Sequence, residues 1–177
     1  ALRCVNEAAE TLKKEKETAR EIAKELVDAR EYGSILTPNI SIESLCRLKE
    51  EILEVLEDSE HGNIIIRLAA DELRSQLLPL VDIAIALTQK YHVVITNPPY
   101  LGNSRFSPKL DKYIKKNYLD VKSDLSMVMY KRSLSGFAMK NGFVAFITTN
   151  SWMVLSRFEK LREYVLNGYC FDSIVDY

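Results

Sequence analysis

The sequence predicts an α/β chain: part of a doubly wound parallel sheet over residues 91–177, preceded by a mainly helical region over residues 1–90. Two observations predict the sheet, and a third separates the regions. Residues 91–96 (YHVVIT) and 143–148 (FVAFIT) are short unbroken apolar runs of the kind that forms buried parallel strands. Helix-length segments divide them from each other and from a third run at 171–177, the rhythm of right-handed strand–helix–strand crossovers. The charge also changes sign. Residues 1–90 hold 12 basic and 18 acidic side chains, net −6, whereas residues 91–177 hold 12 and 7, net +5.

The 177 residues suit one compact domain, and an apolar content of 47% is enough to build a core. The total charge of −1 averages two unlike halves and by itself points to neither a nucleic-acid nor a membrane-surface protein. The longest apolar stretch, residues 77–87, contains Pro79 and Asp82 and is too short to span a bilayer; no secretory leader stands at the start. Cys4, Cys46 and Cys170 never fall at C-x-x-C spacing, and His61 and His92 are the sole histidines. Neither a metal site nor a disulfide framework is expected, and a reducing cytoplasm fits best. A chain that opens on Ala1 directly before its first helix is expected to be a piece of a longer protein.

In the first region Val5, Ala9, Leu12, Ala19, Ile22 and Leu26 recur at three-, four- and seven-residue steps, predicting one long helix over 2–31 with a single apolar stripe. Gly33 and Pro38 interrupt it. Ser41 is placed to cap a second helix carrying Ile42, Leu45, Leu48, Ile52 and Val55 on one face. Residues 59–63 (SEHGN) form a turn, and a third helix runs over 64–90 with a kink or restart at Pro79. In the second region a short helix starts at Ser107-Pro108, where proline suits the first helical position. Ser123 is placed to cap a helix through Lys140, closed by Asn141-Gly142. Ser156-x-x-Glu159 reads as a capping box for a helix closed by Asn167-Gly168.

Ligands of parallel sheets sit beyond the carboxyl ends of strands. That edge is occupied here by residues 97–100 after the first strand and 149–152 after the second. In Asn97-Pro98-Pro99-Tyr100 two prolines stiffen the backbone and remove two N–H donors while their carbonyls remain as acceptors. Asn97 adds a side-chain carbonyl and Tyr100 a flat aromatic face. Two acceptors beside a π-face suit a planar amine with two N–H donors. Hydrogen bonds from that amine to Asn97 Oδ1 and the Pro98 carbonyl would draw its nitrogen out of conjugation and free its lone pair for attack on a methyl donor, with no general base.

This tetrapeptide resembles the signature of amino-group methyltransferases that use S-adenosylmethionine. The context extends the likeness through Leu101-Gly102-Asn103, Ser123-Asp124-Leu125, residues 146–153 (FITTNSWM) and residues 158–163 (FEKLRE). In order and spacing, residues 91–177 resemble the adenine-specific DNA methyltransferases of the large restriction and bacteriophage-exclusion type. The resemblance implies a partial Rossmann-like methyltransferase sheet, with residues 1–90 as a helical insertion before the catalytic strand, in a bacterial cytoplasmic enzyme. It implies S-adenosyl-L-methionine as cofactor and double-stranded DNA as partner, its target adenine flipped out of the helix because N6 is inaccessible inside it. Asn97 and Pro98 would bind N6, Tyr100 would stack on the base, and Pro99 would shape the turn. Trp152 stands at the substrate side of the second strand end. Asp124 and Leu125 match a position near the cofactor adenine, although Asp124 serves equally as a helix-start residue.

The basic surplus lies just behind the motif: Arg105, Lys109, Lys112, Lys115, Lys116, Lys122, Lys131 and Arg132 against Asp111, Asp120 and Asp124. Lys109, Lys115 and Lys116 are the expected phosphate contacts. One feature departs from the family. The six glycines never form G-x-G, so the glycine-rich half of the cofactor site is expected upstream, in the remainder of the full-length enzyme, and the isolated chain is expected to be inactive. An exposed sheet edge invites dimerisation. A glutamine- or RNA-directed methyltransferase sharing the tetrapeptide, and a non-enzymatic helical interaction module, are the alternatives.

Overall fold

The computed structural model describes residues 8–59 and 64–176, which fall into two compact units, Ala1–Gln89 and Lys90–Tyr177. The first unit is helical: α1 (Lys16–Glu25), the short α2 (Ala29–Tyr32), α3 (Ile42–Asp58), α4 (Ile64–Glu72) and α5 (Leu78–Thr88). α3 packs on α5, and α1 packs on both. Ile22, Leu45, Leu48, Ile52, Leu73, Leu77 and Val81 form the fully buried centre. Ser41 caps α3 as its chemistry suggests, Oγ accepting from the Ser44 N–H at 3.2 Å. The inward face differs slightly from the periodic expectation: Leu56 is buried, whereas Ile42 and Val55 are half-buried. Of the turn over 59–63 only Ser59 lies among the described residues; there it closes α3, its hydroxyl donating to the Leu56 carbonyl at 2.7 Å.

The single long helix expected over 2–31 is broken. α1 begins at Lys16, and Leu12 to Glu15 bend into it. Val5 lies outside the described residues. The cause of the break is Glu51, far along the chain on α3 and 8% exposed. Its Oε1 accepts from the N–H groups of Lys13 at 2.7 Å and Lys14 at 2.9 Å, and its Oε2 from Glu15 at 2.8 Å. They belong to the two residues before α1 and to its N-cap, Glu15, so a carboxylate from another helix satisfies the backbone donors at the entry to α1. Periodicity cannot register it. The second discontinuity also has a local cause. A π-helical stretch, Leu73–Leu77, joins α4 to α5 and ends just before Pro79. Pro79 offers no N–H, and its ring conflicts with the carbonyl four residues back, that of Ser75; the widened turn relieves both.

In the second unit β1 (Tyr91–Thr96) pairs in parallel with β2 (Ala138–Phe146) as a two-stranded sheet. α6 (Pro108–Asn117), α7 (Leu125–Arg132), α8 (Ser151–Val154) and α9 (Glu159–Gly168) complete it. β1 and α6 have the predicted starts, α6 with Ser107 Oγ accepting from the Leu110 N–H at 3.2 Å. Three expectations are corrected. α7 is capped by Asp124 rather than Ser123, its Oδ1 accepting from the Ser126 N–H at 2.8 Å. α9 starts at Glu159, after a 3-10 turn at Ser156–Phe158, and no capping box forms. Residues 171–176 join no strand.

The largest correction concerns residues 133–142. A π-helical stretch, Ser133–Phe137, ends the α7 segment, and β2 starts at Ala138, five residues earlier than the apolar run. Asn141-Gly142 does not close a helix. It forms a bulge inside β2, where Tyr91 opposes Ala138 but Val93 opposes Phe143. Asn141 adopts a left-handed φ of 64°. A Cβ on Gly142 would lie 2.9 Å from the His92 carbonyl oxygen and 3.0 Å from that of Met139. The same conformational tolerance that suits these residues to helix ends suits them to a bulge. The sheet is also covered on one face only. Tyr130, whose ring lies 5.1 Å from that of Phe146, packs on one side. On the other, Val93, Ile95 and Phe143 are more than half exposed, so these strands are not buried on both faces as the apolar runs implied.

Two outcomes follow. Burial alone would raise the Glu51 carboxyl, but the backbone N–H groups of Lys14, Lys13 and Glu15 outweigh it and hold the pKa below the ordinary carboxylate value. A depressed folded-state pKa stabilises the protein above the unfolded value of about 4.3, and that contribution is lost as pH falls through the folded pKa. Glu51→Gln is expected to lower stability at neutral pH by about 1–3 kcal/mol and to flatten the acid limb of stability against pH, measured by urea unfolding. Gly142→Ala is expected to destabilise the second unit by about 1–3 kcal/mol, because backbone carbonyls rather than flexible side chains would have to move; thermal unfolding measures it.

Candidate active site

A parallel pair ends at one edge. Thr96 opposes Phe146, and the Ile147 N–H donates to the Thr96 carbonyl at 3.2 Å, so both chains leave the sheet side by side. The turn over 97–100 starts there. Pro98 is buried, and Asn97, Pro99 and Tyr100 are exposed. The packed Pro98 ring anchors the turn while its neighbours face outward. The Tyr100 hydroxyl lies 3.0 Å from Asn97 Oδ1 and 3.2 Å from the Ile147 carbonyl oxygen. One O–H proton thus faces two acceptors and ties the motif to the end of β2. Ile147 belongs to the second apolar run, but nothing in its side chain announces that its carbonyl would hold the motif.

The chain beyond the motif is held as well. The Leu101 carbonyl accepts from the Leu125 N–H at 2.9 Å, the Asn103 N–H donates to the Ser123 carbonyl at 3.1 Å, and Gly102 and Asp124 form an isolated antiparallel bridge. Asp124 and Leu125 therefore lie beside the tail of the turn. Asp124 Oδ1 is engaged by the Ser126 N–H and hydroxyl. Open space surrounds the position a Cβ would take on Gly102.

The other candidates make no hydrogen bond to this group among those described. Trp152 is 7% exposed and packs in an aromatic cluster, 5.6 Å from the Tyr130 ring and 6.4 Å from that of Phe171. Its indole N–H is buried without an acceptor. Lys109, Lys115 and Lys116 are exposed on α6, opposite the inward Leu110 and Ile114. Lys115 pairs with Asp111 at 2.6 Å. Two members of the basic surplus are withdrawn from solvent: Lys131 pairs with Asp120 at 2.5 Å, and Arg132 is 5% exposed with its guanidinium 4.4 Å from the Phe137 ring. Among the described residues no group of three or more histidines, cysteines or acids gathers as a metal site, and no helix is long and apolar enough to cross a membrane.

The turn over 97–100 thus presents an exposed side-chain amide and an exposed aromatic ring at the edge where both strands end. The model of the Eco57I restriction-modification methylase family matches residues 17–177. The adenine-specific methyltransferase PglX of Lacticaseibacillus casei (strain Zhang) is 34% identical over 136 residues, which are 76% of this chain and 11% of that protein. The adenine-specific methyltransferase BrxX of Escherichia coli O9:H4 (strain HS) is 36% identical over 100 residues, 56% of this chain and 8% of that protein. The chain belongs to the Eco57I restriction-modification methylase family, and it spans about a tenth of the length of these two relatives.

Removing the hydroxyl tests the tie between the motif and β2. Tyr100→Phe is expected to lose about 0.5–1.5 kcal/mol of local stability, a rise of roughly 2- to 12-fold in the opening of residues 97–101 seen by amide hydrogen exchange, with exchange in the first unit unchanged.

Proposed function

We propose that the protein carrying this chain is a site-specific DNA methyltransferase that transfers a methyl group from S-adenosyl-L-methionine to adenine N6, in the bacterial cytoplasm. The observation that carries the proposal is the Asn97–Tyr100 turn, set at the carboxyl end of a parallel strand and braced by Ile147, in a chain of this methylase family. Two relatives bearing the name adenine-specific methyltransferase support adenine as the target base.

Asn97 Oδ1 and the Pro98 carbonyl accept the two N–H groups of the target amine. With both protons engaged, the nitrogen lone pair leaves conjugation with the ring and becomes available for methyl transfer, after which the nitrogen gives up one of those protons to solvent. The cofactor supplies an electrophilic methyl group on a sulfonium centre. Tyr100 lends its ring face to the extruded base, an interaction worth roughly 1–3 kcal/mol. Its hydroxyl, shared with Asn97 in the free protein, keeps the side-chain amide at the mouth of the turn until the amine arrives. Pro99 sets the turn's shape. Asp124 and Leu125 would face the cofactor; their place beside Leu101 and the open space at Gly102 fit one edge of such a group. Among the described residues no G-x-G turn stands ready for its methionine end. Trp152, packed against Tyr130 and Phe171, would stand on the substrate side of the second strand's end. Lys109, Lys115 and Lys116 are all exposed on α6, which supports phosphate contact there.

Asn97→Ala in the intact protein is expected to lower kcat by at least about 100-fold, in line with the loss of one preorganised polar contact to the reacting group, while leaving the unfolding transition within about 1 kcal/mol. Methylation of duplex DNA retained at the wild-type rate would refute the proposal.

A further inference from the structure

A cleft of about 490 Å3 lies between residues 119–122 and the start of α9, within the range of about 300–1,000 Å3 typical of ligand sites. Lys122, Arg157 and Lys160 line it, with Asp120, Glu159 and Leu119. Asp120 is already neutralised by Lys131 at 2.5 Å. Three cations therefore face a single uncompensated acid, Glu159. The wall that carries Arg157 is braced from behind. Arg162 Nη1 donates to the carbonyls of Trp152 at 2.8 Å and Leu155 at 2.7 Å, fixing the chain that enters the Ser156–Phe158 turn. The Arg157 guanidinium lies 5.0 Å from the ring of the fully buried Phe158, which holds the charge against the wall at low entropic cost. α9 brings its N-terminus to the same cleft, where Phe158 provides no side-chain cap.

We propose that this cleft holds a backbone phosphate of the nucleic-acid strand, with Lys122, Arg157 and Lys160 as its cationic ligands; this rests on the reading of the protein as a DNA methyltransferase. The chemistry selects an anion and not a base. Among the described residues that line the cleft none is aromatic, and Leu119 alone has a wholly apolar side chain. The cleft also adjoins the catalytic turn along the chain, because Ser123, next to Lys122, accepts from Asn103, three residues beyond Tyr100. Arg157 and Lys160 come from a segment whose charges the basic run behind the motif does not include.

The test measures duplex-DNA affinity against salt for the intact wild-type protein, Arg157→Ala/Lys160→Ala and Glu159→Gln, together with kcat at saturating DNA. Each phosphate contact contributes about 0.9 to the slope of log affinity against log salt, so the double variant is expected to flatten it by about 1–2. Removing the opposing acid is expected to tighten binding by about two- to fivefold, the size of one exposed charge interaction. kcat at saturating DNA separates an effect on binding from an effect on chemistry. The gain in Glu159→Gln cannot come from misfolding, so it decides the question alone if the double variant fails to fold. An unchanged slope together with unchanged Glu159→Gln affinity overturns the cleft assignment while leaving the methyltransferase reading intact. A saturable inorganic-phosphate isotherm lost in the double variant, with DNA slopes unaltered, assigns the cleft to a free anion and also overturns it. Wild-type protein that neither binds nor methylates duplex DNA overturns both.

Discussion

β1 and β2 run parallel, and a parallel pair delivers both chain exits to one edge. From that constraint the site follows. The turn over 97–100 leaves β1 beside the point where Ile147 leaves β2, so one hydroxyl, that of Tyr100, reaches a side chain of its own turn and a carbonyl of the neighbouring strand. An antiparallel pair would have sent the two exits to opposite edges. The pairing itself depends on the bulge at Asn141-Gly142. It absorbs the three extra residues of β2 between the Tyr91 and Val93 pairings and brings the rest of the two strands into step up to Thr96 and Phe146.

The first unit rests on a different device. A carboxylate buried on α3 holds the chain where it enters another helix, and three backbone N–H groups compensate for its removal from water. The acidic surplus of residues 1–90 is thus not spread evenly over solvent. One of its members is a structural part whose charge is needed where it lies, and the bend it enforces turns one long helix into a compact group.

Charge in the second unit is redistributed in the same way. Counted along the chain, the basic residues between Arg105 and Arg132 look like one patch. In three dimensions Arg132 packs under Phe137, Lys131 serves Asp120, and Lys115 serves Asp111. What faces solvent is a stripe on α6 and a separate cluster in which Lys122 meets Arg157 and Lys160 from more than thirty residues away. A surplus in sequence is a quantity of charge; only the fold turns it into a surface with an address.

Much of the chain was legible before any coordinates. β1, the starts of α3 and α6, and the turn over 97–100 follow from local chemistry: an unbroken apolar run, a serine hydroxyl aimed at the third N–H, prolines that fix φ. Local rules need no partner, so they survive folding. Where a residue has two local uses, sequence could not choose. Asn141-Gly142 suits a helix end or a bulge, Ser123 and Asp124 are both helix caps, and Ser156-x-x-Glu159 lies beside a start it does not cap. The first two choices were made by contacts with distant segments, β1 against β2 and Leu101 against Leu125, and the third accompanies a nearer one, Arg162 against the Leu155 carbonyl. By itself the sequence determined the make-up of the turn at the sheet edge, because an amide, two prolines and an aromatic ring are written in four adjacent residues. The tertiary structure alone decided what surrounds that turn, because a carbonyl at Ile147, a carboxylate at Glu51 and a pair of cations at Arg157 and Lys160 acquire their roles only from what folding sets against them.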